Sequence, residues 1–171
     1  MRIIITGCAG FIGANFTKYW LNNYTEDTVI GVDCLTYAAN LPALTELKLH
    51  DKFKFYKTNI CDRQAVAKIF HNEAPGIVIN FAAESHVDRS IADSRVFIET
   101  NVLGTQTLLD LCLQYGVKRF HQISTDEVYG DLPLDTDEVF AEDYPLKPSS
   151  PYSASKAAAD MLVLSYFRTH G

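Results

Sequence analysis

Tyr152 and Lys156 stand four residues apart in Ser150-Pro151-Tyr152-Ser153-Ala154-Ser155-Lys156. On a helix, residues so spaced share one face. A phenol with an ordinary pKa of about 10 is a poor base at neutral pH. A neighbouring ammonium favours the phenolate. At about 4 Å and an effective dielectric of about 20 it contributes roughly 4 kcal/mol, equivalent to about three pKa units. Such a pair can remove a hydroxyl proton while hydride leaves the same carbon. Spacing alone describes a solvated helix pair equally well.

A second group is Ser124-Thr125-Asp126-Glu127-Val128-Tyr129-Gly130, at the end of the strand expected over Arg119 to Ser124. Neighbours on a strand point to opposite faces. Asp126 and Glu127 can therefore share a site only if the chain has already left the strand. A carboxylic acid beside a carboxylate serves as acid and base for an elimination when its surroundings split the two pKa values. The plainer reading is a polar turn with two solvated acids. A third stretch, Phe81-Ala82-Ala83-Glu84-Ser85-His86, follows the run Ile77 to Phe81, and its small residues would let a flat cofactor pass close.

The elements that must position these groups begin at the amino end. Arg2 to Thr6 is a short, mostly β-branched run, as in a strand buried on both faces. Gly7, Gly10 and Gly13 follow at three-residue spacing, and Phe11, Ile12, Phe16, Tyr19 and Trp20 suit one face of a helix over Phe11 to Asn22. Strand, glycine turn and helix start make an anion site. Free backbone N–H groups and the positive end of the helix dipole face a phosphate, and glycine lets the backbone approach it. Asp33 ends the next apolar run, Val29 to Asp33, twenty residues after Gly13. A carboxylate there accepts from a ribose 2′-hydroxyl and repels a 2′-phosphate, which favours NAD over NADP.

Apolar runs and helical patterns then alternate, which predicts an α/β, doubly wound parallel sheet of Rossmann type. Strands are expected at Arg2–Thr6, Val29–Asp33, Phe53–Thr58, Ile77–Phe81 and Arg119–Ser124, in the order 3-2-1-4-5. Helices are expected over Phe11–Asn22, over Asn40–His50 with Asn40 as cap, and after Asp62 until Pro75-Gly76. Asp93–Tyr115 reads as one long helix closed by Gly116. Gly104 inside it costs roughly 1 kcal/mol against Ala and marks close packing. Ser150-Pro151 opens the last helix, to about Thr169. The ligand crevice should lie at the carboxyl ends of strands one and four, where the winding reverses. Residues 1–171 are read as a single dinucleotide-binding domain. A fold of this type normally adds another strand, so we expect a piece of a longer enzyme that lacks its substrate domain.

Composition bounds the rest. The hydrophobic share of 47% and charged share of 21% suit a globular chain, and the net charge of −6 argues against a nucleic-acid surface. Cys8, Cys34, Cys61 and Cys112 form no CxxC pair and no metal-ligand spacing with the histidines. Scattered thiols and no visible signal peptide suggest the cytoplasm, and no run has the roughly 20 apolar residues of a membrane span.

Together the stretches Thr6 to Gly13, Ala82 to Ile91, Ser124 to Gly130 and Ser150 to Ala157 resemble the dTDP-glucose 4,6-dehydratases, within the extended short-chain dehydrogenase/reductases. The resemblance covers all 171 residues, about half of a family member. It implies an NAD-dependent hydro-lyase acting on dTDP-glucose in deoxysugar supply. Tyr152 would take the proton of the sugar 4-hydroxyl, with Thr125 bonded at that oxygen. Lys156 would hold the nicotinamide ribose and tune Tyr152. Glu127 would remove the C5 proton and Asp126 protonate the departing C6 hydroxyl, with Ser85 also on the substrate side. Gly7, Gly10, Phe11, Ile12, Gly13, Asp33, Cys34, Leu35, Thr36, Asn59, Ile60, Ala82, Ala83, Ser85, Thr100, Tyr152 and Lys156 fall at the family's cofactor positions. Asn59 replaces a usual Asp near the adenine amino group, although its side-chain oxygen can still accept; Cys34 replaces a usual Lys. No metal is implied. Family members dimerise through the two long helices, here Asp93–Tyr115 and Pro151–Thr169. Two rivals are a sister nucleotide-sugar epimerase or decarboxylase, and an inactive dinucleotide-binding module. The acid pair speaks against the epimerase, which needs no acid for a leaving hydroxyl.

Overall fold

A computed structural model describes residues 1–171. Strands β1 (Arg2–Thr6), β2 (Thr28–Asp33), β3 (Phe53–Lys57), β4 (Ile77–Asn80) and β5 (Arg119–Gln122) form one parallel sheet in the order β3-β2-β1-β4-β5. This is the expected doubly wound arrangement. Side chains alternate across β1, so its three isoleucines feed two cores. Ile3 and Ile5 pack with α1 (Phe11–Asn23) and α2 (Leu41–Leu47). Ile4 packs with α3 (Arg63–Glu73) and α6 (Gly104–Tyr115) on the other face. Thr6 pairs with Val32 on one side and Asn80 on the other, which brings the carboxyl ends of β1, β2 and β4 to one edge. Thr58, Phe81 and Ser124, expected as strand ends, lie just past the ladder, where the chain leaves the sheet.

Helix starts follow their caps. Asn40 accepts from the Ala43 N–H, Asp62 from Ala65 and Ser150 from Ser153, the last within a reciprocal capping box. The last helix, α7, spans Pro151–His170. Gly104 is explained by packing: a Cβ there would fall 2.5 Å from Ile60 Cδ1.

The long helix expected over Asp93–Tyr115 is corrected. It starts as α5 (Arg95–Phe97), widens into a π-helical segment at Ile98–Leu103 and continues as α6. Asp93 stays outside in extended backbone, and its carboxylate accepts the Arg95 N–H, a local alternative to the helical bond. A short helix that the sequence reading missed, α4 (Val87–Ala92), precedes it. Its six residues are too few for helical periodicity to stand out. The π segment has a use. Asn101 lies buried within it, accepts the Glu84 N–H at 2.9 Å and donates to the Glu84 carbonyl at 2.9 Å and to Ser155 Oγ at 2.8 Å. One amide thus joins the loop after β4 to α7.

Asn101→Ala would strand those partners in the interior. We expect a loss of about 3 kcal/mol, or roughly 10 °C in Tm for a domain of this size, in thermal unfolding followed by circular dichroism. An unchanged Tm would show the amide to be dispensable.

Candidate active site

A cleft of about 440 Å³ opens along the carboxyl edge of the sheet. Its floor is the glycine turn. Gly7 is left-handed (φ +65°), and a Cβ on it would sit 2.6 Å from the Ala82 nitrogen. At Gly13 a Cβ would fall 2.1 Å from the Gly7 carbonyl oxygen, so α1 can start this close to β1 only without side chains. Unlike α2, α3 and α7, α1 has no side-chain cap; its N-cap is Gly10. Its first-turn amides are left for an external acceptor. Phe11 and Ile12 line the cleft there and are 76% and 63% exposed, apolar surface that a ligand would cover.

Asp33 forms part of the wall. Its carboxylate accepts the Ala9 N–H at 2.9 Å and the Leu35 N–H at 2.8 Å, which fixes the group and leaves lone pairs for a hydroxyl. Leu35 itself, in left-handed backbone (φ 59°), does not line the cleft. The other expected cofactor residues do: Gly7, Gly10, Phe11, Ile12, Gly13, Asp33, Cys34, Thr36, Asn59, Ile60, Ala82, Ala83, Ser85, Thr100, Tyr152 and Lys156 meet on one surface. Asn59 already uses its side-chain oxygen on the Cys61 N–H, at 2.9 Å. Burial, and then Asp33, push the Cys34 thiol up, so it is a neutral wall residue. Sequence reasoning missed Val32, Ala38, Thr58, Glu84, Val96 and Ser124 among the lining residues. Several of them sit where strands end, and position at the sheet edge is the signal that could have found them. Across the cleft mouth Tyr37 donates to Glu84 at 3.2 Å, with Arg89 stacked 3.9 Å over the Tyr37 ring.

The reactive end lies where α7 meets the end of β5. Thr125, Asp126 and Glu127 do not line this cleft. Asp126 and Glu127 open a 3-10 turn over Asp126–Tyr129 that packs against α7, the helix of Tyr152, and Thr125 caps it. The chain has left the strand, as a shared site for both acids requires. The Thr125 hydroxyl accepts the Glu127 N–H at 3.3 Å and donates to Asp126 Oδ1 at 3.3 Å.

Lys156 is only 4% exposed, and its ammonium donates to the Ile123 carbonyl at 2.5 Å. Burial pulls its pKa down; the Asp160 carboxylate opposes that. The phenol of Tyr152 departs from expectation. Its pKa lies above the usual value, first through burial, with the carboxylates of Glu127, Asp126 and Asp160 adding to it. Only the Thr125 hydroxyl favours the phenolate. The expected lowering by Lys156 is absent: its ammonium is directed to the Ile123 carbonyl, and the nearby carboxylates act in the opposite sense. In the chain alone the surroundings of Tyr152 therefore favour the neutral phenol.

This sets the pH behaviour. The phenolate absorbance lost in Tyr152→Phe, taken as a difference spectrum at 295 nm, should appear only above pH 10, the ordinary value. Appearance below pH 10 would contradict the burial argument.

Comparison with known proteins places the geometry. The family model described as GDP-mannose 4,6 dehydratase matches residues 4–171. A dTDP-glucose 4,6-dehydratase of Escherichia coli is 49% identical over 187 residues, covering 100% of this chain and 51% of that protein. The low-salt glycan biosynthesis protein Agl12 of Haloferax volcanii is also 49% identical, covering 99% and 53%. Among solved structures, a dTDP-glucose 4,6-dehydratase from Streptomyces venezuelae with NAD bound superposes with a TM-score of 0.93 at 43% identity, covering 100% and 53%. A UDP-glucose 4-epimerase of Thermus thermophilus in complex with NAD gives 0.87 at 30% identity, covering 100% and 52%. The chain spans about half the length of the curated relatives it matches. With the glycine turn, the Tyr152–Lys156 helix and the acid-bearing turn all on one parallel sheet, and a family match over nearly its whole length, this chain belongs to the GDP-mannose 4,6 dehydratase family.

Proposed function

We propose that this chain is the NAD-binding part of a nucleotide-sugar 4,6-dehydratase that converts dTDP-glucose to dTDP-4-keto-6-deoxyglucose. The observation that carries the reading is the grouping of Thr125, Asp126 and Glu127 on one turn beside Tyr152, at the end of a dinucleotide cleft. A base for the hydroxyl and an acid–base pair for elimination are the set a dehydratase needs.

The cleft residues fit NAD. The uncapped start of α1 offers amides to a pyrophosphate, the anchored Asp33 accepts from a ribose hydroxyl, and the exposed Phe11 and Ile12 offer apolar cover. When bound, NAD supplies the hydride acceptor for C4 and the hydride returned to C6, and its nicotinamide charge favours the Tyr152 phenolate. Lys156 keeps two N–H donors beyond its Ile123 bond, which suits the nicotinamide ribose. Tyr152 takes the proton of the 4-hydroxyl, with Thr125 bonded at that oxygen. Glu127 then removes the C5 proton, which the new C4 ketone has acidified. Asp126 protonates the C6 hydroxyl, which leaves as water; as hydride reaches C6, Glu127 would return its proton to C5, and Ser85 contacts the sugar.

With this reading we propose a cytoplasmic homodimer through α6 and α7. Its support is the exposed Leu103, Leu113, Met161, Leu164 and Phe167 on or beside those helices. No helix is long and apolar enough to cross a membrane.

The test is to incubate the chain with NAD and dTDP-glucose, beside UDP-glucose, and identify the sugar by NMR. A 4-keto-6-deoxy product from dTDP-glucose alone is expected. A C4 epimer would replace the reading with an epimerase, and NAD uptake without turnover would make the chain a cofactor-binding module. In a chain that turns over, Glu127→Gln should bind NAD normally and slow elimination about 100-fold. Near-normal turnover would remove Glu127 from the mechanism.

A further inference from the structure

One titratable group beside the site has no part in the steps above. Asp160 lies on α7 four residues after Lys156 and eight after Tyr152, so the three form one stripe on the helix. The stripe faces the end of β5. There Lys156 donates to the Ile123 carbonyl, and the next residue, Ser124, donates its hydroxyl to the Asp160 carboxylate. Two consecutive residues at the strand end are thus bound to two consecutive turns of the helix. Thr125, the next residue again, caps the 3-10 turn that packs against α7. Ser124 lines the cleft beside Tyr152 and Lys156, while Asp160 stands behind that wall.

We propose that Asp160 is a positioning residue. Through Ser124 it ties the end of β5 to α7 and so sets Thr125 against Tyr152, and its negative charge keeps the Lys156 ammonium in the buried wall. The proposal rests on the functional reading above for its purpose, though not for its geometry. The charge balance is consistent with it. Burial pulls Lys156 down, and Asp160 is the carboxylate that opposes this; the charge of Lys156 in turn helps keep Asp160 ionised against its own burial. Tyr152 feels Asp160 from its own helix and Asp126 and Glu127 from the 3-10 turn. Lys156 meets Asp160 on α7 and the neutral Ile123 carbonyl at the end of β5.

Charge and tie are separable. Asp160→Asn removes the charge and keeps an acceptor for Ser124. Ser124→Ala removes the tie and keeps the charge. We would label lysine at Cε and tyrosine at Cζ with carbon-13, assign the signals with Lys156→Arg and Tyr152→Phe, and titrate by NMR. In Asp160→Asn both Lys156 and Tyr152 should titrate at lower pH than in the parent chain, and Asp160→Glu should restore them. In Ser124→Ala the amide hydrogen of Ile123, at the strand end, should exchange about tenfold faster. Unmoved titrations in Asp160→Asn would overturn the charge role, and unmoved exchange in Ser124→Ala would overturn the tie. If Asp160→Asn fails to fold, Asp160→Ser removes the charge with a smaller side chain and decides the charge role, while Ser124→Ala decides the tie. All these readings are made without cofactor. A parent chain that shows the shifts yet takes up no NAD would sink the functional reading and leave the positioning role standing.

Discussion

A single buried hydrogen-bond chain underlies the site. Thr6 at the end of β1 donates to Asn80 at the end of β4, and Asn80 donates to Thr105 on α6 at 3.3 Å. Thr105 donates to the Asn101 carbonyl at 2.7 Å, and the Asn101 side chain reaches Ser155 on α7 at 2.8 Å. The strand that opens into the glycine turn is thereby linked to the helix that carries Tyr152 and Lys156. Each link is buried, so each group must find a partner in the protein. That requirement gives the chain its rigidity. A shift of α7 relative to the sheet would leave polar groups unpaired in the interior.

The π segment is what lets Asn101 join. In a regular helix a side chain at that point would follow the 3.6-residue repeat of its neighbours. The wider turn at Ile98–Leu103 sets Asn101 between the Glu84 backbone and α7. π-helical turns inside helices frequently mark functional positions, and here the turn serves both walls of the cleft. The loop after β4 supplies Ala82, Ala83 and Ser85, while α7 supplies the reactive pair.

Electrostatically the surroundings of Tyr152 favour its neutral form. Burial, and then the carboxylates of Glu127, Asp126 and Asp160, push the Tyr152 phenol up, and one donor of the Lys156 ammonium is held by the Ile123 carbonyl. A site in this state has little base strength by itself. Arrival of a positive charge in the adjacent cleft would supply the missing field, so base strength would appear only when the hydride acceptor is in place.

Much of this was legible from local sequence. The glycine turn, the i,i+4 pairing of Tyr152 with Lys156 and the caps Asn40, Asp62 and Ser150 each depend on residues within a few positions of one another, where backbone geometry dictates the outcome, while the strand order and Asp33 followed from the regular alternation of strands and helices. The walls of the cleft were legible for a related reason: a doubly wound sheet sends its strand ends to one edge. Other features were hidden because they pair residues far apart in the chain. Asn101 meets Ser155 across 54 positions, and Ser124 meets Asp160 across 36. The state of Tyr152 was misjudged for the same reason. Spacing placed Lys156 nearby, but only the tertiary structure could direct its ammonium to the Ile123 carbonyl and bring three acids around the phenol. Sequence alone determined which groups could react. Packing of α7 against the end of β5 decided their charge, because burial and the sum of nearby charges are properties of the folded neighbourhood.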